Sequence, residues 1–179
     1  MGRGLFALLV LGRALLFGSP AWAGTSTITA QASVNTNCSV AAVAVAFGTY
    51  DPITANAPPA SGGINLNATG SVTITCTKGT APTIGLGLGA HASGSIRRML
   101  SGATNFLTYE LYQPPSNAAG TACTFPGTTK WGTAGANLFS PTTALSKTAR
   151  PYNICGTVAA GQDPAIGTYS DTVVATVTF

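Results

Sequence analysis

Four cysteines are the residues of this chain best suited to covalent chemistry: Cys38, Cys76, Cys123 and Cys155. None belongs to a C-x-x-C cluster of the kind that holds a metal, so the expected chemistry is oxidation to two disulfides. Four cysteines allow three connectivities, and pairing within each half of the chain, Cys38–Cys76 and Cys123–Cys155, is the expected one. Each bridge would close a loop of several tens of residues and contribute about 3–4 kcal/mol in the chain-entropy picture.

The remaining reactive side chains form no catalytic set. The single histidine, His91, lies among small residues after a glycine-rich stretch, and reads as a surface residue without partners for a metal site or a triad. Asp51, Glu110, Asp163 and Asp171 are the only carboxylic side chains and are far apart in sequence. No G-x-S-x-G elbow is present. Arg97-Arg98 reads as a solvated corner, and Asn67-Ala68-Thr69 is a chance-level glycosylation pattern. The chain is therefore not expected to be an enzyme or to carry a cofactor or metal.

Export supplies the oxidising compartment that disulfides need. Arg3 precedes an apolar run, Leu5-Phe6-Ala7-Leu8-Leu9-Val10-Leu11, which continues past Arg13 to Leu15-Leu16-Phe17. After Gly18-Ser19-Pro20 comes Ala21-Trp22-Ala23, a small-x-small site, so residues 1–23 read as a secretory signal peptide. Arg13 breaks the apolar run short of the roughly 18 residues of a membrane span. Two of the eight basic residues lie in this leader, so the exported chain is less positive than the formal +4. Only 7% of residues are charged and no basic stripe exists, which excludes a nucleic-acid partner.

Stepping along the exported part, the elements are strands. Ile28, Ala30, Ala32 and Val34 alternate with Thr27, Thr29, Gln31 and Ser33, the period of a strand. Further strands are expected at 40–47, 64–67, 70–76, 84–88, 105–112 and 153–158, with loops rich in Pro, Ala, Ser and Gly at 54–63 and 114–129. In Ile84-Gly85-Leu86-Gly87-Leu88-Gly89 the glycines form one bare face; with no helix pattern following, close approach of another backbone is expected rather than phosphate binding. The chain closes on a strand in which Val173, Ala175, Val177 and Phe179 share a face. No amphipathic helix is discernible, so the fold class is all-β, a sandwich.

The order of several of these features resembles the spore coat protein U domain family, which includes the Csu-type pilins of archaic chaperone–usher systems. The pattern runs from Cys38 through Phe47-Gly48-x-Tyr50-x-Pro52, Cys76, Arg98-Met99, Leu107-x-Tyr109-x-Leu111-Tyr112 and Trp131-Gly132 to Gly167-x-Tyr169-x-Asp171-Thr172-Val173. The resemblance implies an immunoglobulin-like sandwich, residues 35–179, lacking one strand and completed by a strand donated from another subunit. Residues 24–34 would be the donor extension, with Ile28, Ala30, Ala32 and Val34 as its plugs, where the alternation alone also allows a first strand folded back into its own domain. It implies three kinds of partner: a periplasmic pilus chaperone engaging the C-terminal strand at Val173, Ala175, Val177 and Phe179, an outer-membrane usher, and neighbouring subunits. The function so implied is a structural subunit of a surface pilus, supporting adhesion and biofilm formation. The alternative is a secreted carbohydrate- or surface-binding adhesin module at a pilus tip.

Overall fold

The computed structural model describes residues 24–179, and the leader expected at 1–23 lies outside them. The chain divides into two units, Met1–Ser33 and Val34–Phe179. Of the first, residues 24–33 contain no helix or strand and expose every side chain, with Ile28 95% exposed. The period-2 pattern there does not become a strand, because a strand needs the hydrogen bonds of a neighbouring edge.

In the second unit alternating apolar residues form seven strands. They are β1 (Cys38–Val43), β2 (Leu66–Cys76), β3 (Thr83–Leu86), β4 (Arg97–Ser101), β5 (Asn105–Tyr112), β6 (Arg150–Val158) and β7 (Ala175–Thr178). Five make an antiparallel sheet in the order β1-β2-β6-β5-β4, and β3 pairs with β7 in a second, two-stranded sheet. Only two single-turn 3-10 helices interrupt the loops among the described residues. The all-β sandwich expected from the sequence is what the chain forms.

The core lies between the sheets. Val72 and Ile74 of β2, Tyr152 and Ile154 of β6, Leu107 and Leu111 of β5 and Ile84 and Leu86 of β3 face inward. At one end Trp131 packs on Phe139 (ring centroids 4.9 Å apart) and Phe139 on Tyr152 (5.3 Å). The buried indole N–H donates to the Ile84 carbonyl at 2.8 Å, so the largest apolar side chain leaves no polar atom unpaired. Another backbone does approach the bare face of β3: a Cβ on Gly85 would sit 3.4 Å from the Thr133 backbone, in ordinary van der Waals contact.

Both disulfides pair within their half of the chain, Cys38 with Cys76 and Cys123 with Cys155. The first joins directly opposed residues of β1 and β2; the second ties the 113–129 loop to β6. Arg97 is a correction to the solvated-corner reading. It shares the inward face of β4 with Met99 and is 2% exposed. Its cost of burial is offset by the Glu110 carboxylate and by the carbonyls of Leu86 (3.1 Å), Gly87 (2.8 Å) and Trp131 (2.6 Å). Arg98 alone keeps a partly solvated position, 3.9 Å over the Phe106 ring.

Candidate functional site

The five-stranded sheet ends at β1 and the two-stranded sheet ends at β7, and neither edge is paired on its outer side. On β7 the alternation decides which groups are left over. Gly87 N–H donates to Val174 O (2.9 Å) and Ala90 N–H to Thr172 O (3.0 Å), so the even-numbered residues turn their backbone toward β3. The backbone groups of Val173, Ala175 and Val177 then face away from β3, toward the open side. Their side chains point to the core, where all three are half-buried. An unpaired edge with apolar side chains beneath it is the arrangement that accepts an added strand.

On the opposite wall, Val40 and Ala42 of β1 lie on the inward face with their partners Ile74 and Val72, yet Val40 remains 46% exposed while Ile74 is wholly buried. Past β1 the inward positions change from even to odd, to Val45 and Phe47. That one-residue shift is opposite Gly70, where a Cβ would lie 2.7 Å from the Val43 carbonyl oxygen and from the Val45 side chain. A single strand over 40–47, as the apolar run suggested, is therefore not formed; the ladder stops at Val43. Gly156 of β6 makes room for the relocated side chains, since a Cβ there would be 2.5 Å from Val45 Cγ1 and 2.8 Å from Phe47 Cζ.

Between the two walls lies an apolar groove. One cavity of about 500 Å³ is bounded by residues 42–45 and by 169–175, and a second of about 690 Å³ by 45–50 and 164–169. They share Val45, Phe47, Met99 and Tyr169, so the groove is continuous. Its floor is Met99, Leu107, Tyr109 and Leu111. Val173 and Ala175 line it; Val177 packs on the core beyond it, and Phe179, at the chain's end, is half exposed. Ile28, Ala30 and Ala32 belong to the exposed segment 24–33, and Val34, at the start of the second unit, is 82% exposed.

The groove has one acidic point, whose partners spacing along the chain did not reveal. Asp171 accepts from the Tyr109 hydroxyl (2.7 Å), and His91 Nδ1 lies 3.0 Å from its other oxygen. His91 thus has a partner, 80 residues away, in contrast to the isolated surface residue its surroundings suggested. Burial, with the Asp171 carboxylate beside it, pushes the Tyr109 hydroxyl well above its ordinary value. Glu110 works apart from this point, holding Arg97 and Lys130 (2.7 Å to Lys130 Nζ). The hydrogen bond from Lys130 raises the lysine's pKa. Among the described residues no cluster of three or more His, Cys, Asp or Glu is placed to hold a metal.

Known proteins share this chain's pattern at three levels. The family model of the Spore Coat Protein U domain matches residues 24–176. Protein U of Myxococcus xanthus is 36% identical over 192 aligned residues, covering 97% of this chain and 96% of that protein. Among solved structures, one chain of the CsuC-CsuE chaperone–tip adhesion subunit pre-assembly complex, from the archaic chaperone-usher Csu pili of Acinetobacter baumannii, superposes with a TM-score of 0.51 at 24% identity. That match covers 82% of this chain and 40% of the other, so this chain spans well under half the length of its structural neighbour, and the likeness is one of fold. Matched by the family model over nearly all of its described length, and by a relative end to end, this chain belongs to the spore coat protein U domain family.

Proposed function

We propose that this protein is a structural subunit of a bacterial surface pilus, built by the chaperone–usher pathway through donor-strand complementation. The observation that carries the reading is the apolar groove between the unpaired edges of β1 and β7. A strand laid there would pair with both edges and place every second side chain over Met99, Tyr109 and Leu111. Residues 24–34 have the required chemistry: uncharged, free of proline, and apolar at Ile28, Ala30, Ala32 and Val34. Eleven residues extend about 36 Å as a strand, enough to run along a sandwich edge. Donated to the groove of the next copy, the segment makes a head-to-tail contact that does not close on itself and so builds a fibre.

Before polymerisation the same open edge needs protection from indiscriminate pairing. A periplasmic chaperone supplies it, contacting the C-terminal strand at Val173, Ala175, Val177 and Phe179, and an outer-membrane usher receives the complex. The solved neighbour is itself described as a chaperone–subunit pre-assembly complex, which supports this partner class. The finished fibre sits on the cell surface after passage through the periplasm and serves adhesion and biofilm formation.

The test is to produce the chain with and without residues 24–34, with and without a pilus chaperone encoded beside it, and to examine unboiled samples on gels. Heat-sensitive ladders from the intact chain only are expected. Stable monomers from both forms in the absence of any chaperone would overturn the reading.

A further inference from the structure

The acidic point in the groove carries an inference that rests on the donor-strand reading and deepens it. The Asp171 side chain is 2% exposed, and four donors converge on it. Tyr109 donates to Oδ2 at 2.7 Å, while the backbone N–H groups of Thr172 (2.9 Å) and His91 (3.2 Å) and the His91 ring at Nδ1 (3.0 Å) reach Oδ1. Because a carboxylate only accepts, this contact places the imidazole proton on Nδ1. Gly89 makes the approach possible: at φ +94° it takes a backbone conformation that side chains avoid, and a Cβ there would lie 1.9 Å from Oδ2.

These donors tie together three parts of the fold. Tyr109 stands on β5 in the groove floor, His91 in the turn after β3, and Asp171 in the run that leads into β7 and forms the groove wall. Backbone bonds at Ser170, Thr172 and Val174 hold that wall to β4 and to the chain after β3. Among the described residues, Tyr109–Asp171 is the one side-chain hydrogen bond from residues 169–179 to β5. Across the groove the Tyr109 ring meets Phe47 edge-on, with centroids 6.0 Å apart. A line of contact thus runs from one wall, Phe47, through the floor to the other.

We propose that Asp171, acting through Tyr109, is the positioning residue that holds the acceptor groove preformed. Two facing apolar walls gain by closing on each other when nothing lies between them. Moving this wall inward would take a buried carboxylate away from the Tyr109 hydroxyl, and a hydrogen bond to a charged group is costly to lose in the interior, which opposes that collapse. A groove held at its bound width spares an incoming strand the cost of ordering the wall, so the latch appears in affinity.

The experiment measures uptake of a fluorescent synthetic peptide of residues 24–34, displacing the chaperone, by the full chain purified as its complex with the pilus chaperone, beside thermal unfolding of the same samples. Tyr109→Phe keeps the ring and removes only the hydroxyl. It is expected to bind the peptide about tenfold or more weakly, the effect of losing one hydrogen bond to a charged group. Asp171→Asn is expected to weaken binding likewise, and the double variant to be no worse than the poorer single one. If Asp171→Asn fails to fold, Tyr109→Phe decides. A Tyr109→Phe chain that loses thermal stability yet binds as tightly as the natural one overturns the positioning role and leaves the donor-strand reading intact. Failure of the natural chain to bind the peptide overturns that reading instead.

Discussion

The Arg97 guanidinium, on β4 of the larger sheet, donates to the carbonyl oxygen of Trp131 at 2.6 Å, in the segment that covers the glycine face of β3. One buried cation therefore ties the two layers of the sandwich, with Glu110 beside it as counter-charge.

Replacing Arg97 with alanine strands three backbone carbonyls in the interior and leaves Glu110 only the Leu111 N–H and the exposed Lys130. The expected loss is about 3–5 kcal/mol, as for other broken buried pairs. Urea unfolding measures it. A loss below about 1 kcal/mol would mean that the pair is solvated in the folded protein.

Ala32→Asp should separate assembly from folding. Residues 24–33 expose every side chain, so the substitution should shift the unfolding free energy by less than about 0.5 kcal/mol. As a plug it would carry a charge into the apolar groove, and heat-sensitive ladders should vanish. Normal ladders would remove Ala32 from the donor face.

Gly156→Val tests the packing that shapes the groove. Even the first carbon of the new side chain meets Val45 and Phe47 at 2.5 and 2.8 Å, so both must move toward the space a donor strand would fill. Overpacking costs about 1–3 kcal/mol, and uptake of the 24–34 peptide should fall with it. Unchanged uptake at reduced stability would show that these side chains retreat elsewhere.

Removing Cys38 and Cys76 together, as serines, should cost about 2–5 kcal/mol. Because the bridge pins β1 at the open edge, backbone amides of 38–43 should also exchange faster with solvent, while β6, tied by Cys155, stays protected. Equal acceleration in both strands would mean that the edge is not separately anchored.

Acid should loosen one loop first. Asp51 accepts from the Thr54 hydroxyl and from the N–H groups of Thr54 (3.0 Å) and Ile53 (2.9 Å), and these bonds, the hydroxyl's foremost, hold its carboxyl below the ordinary value of 3.8. A depressed folded-state pKa means that the stabilisation is fully present above 3.8 and disappears as pH falls through the lower, folded value. NMR titration should show the amides of 53 and 54 shifting in that acid range. In Asp51→Asn the shift should be absent; its persistence would assign the titration to another group.

Local pattern was enough for the features that depend on neighbours in sequence. Residues 105–112 alternate so regularly that β5 has the bounds read from them, and the small-residue faces of β3 foretold a close backbone. Alternation also marked Val173, Ala175 and Val177 as one face, and the placement of cysteines within each half matched the bridges formed. What alternation could not say is whether a strand has a partner. Residues 27–34 and 173–177 carry the same period, yet the first forms no strand and the second forms one edge of a groove, because pairing is settled by which other edge comes within hydrogen-bond reach. The same holds for charge. Arg97 stands next to Arg98 and lies buried because β4 turns alternate residues inward, and His91 meets Asp171 only because residues 87–90 run antiparallel to 172–174. Residue type and spacing determined the kind of fold and its covalent ties; which edges stayed open, and which polar groups met there, was decided by long-range register, which one chain segment does not encode by itself.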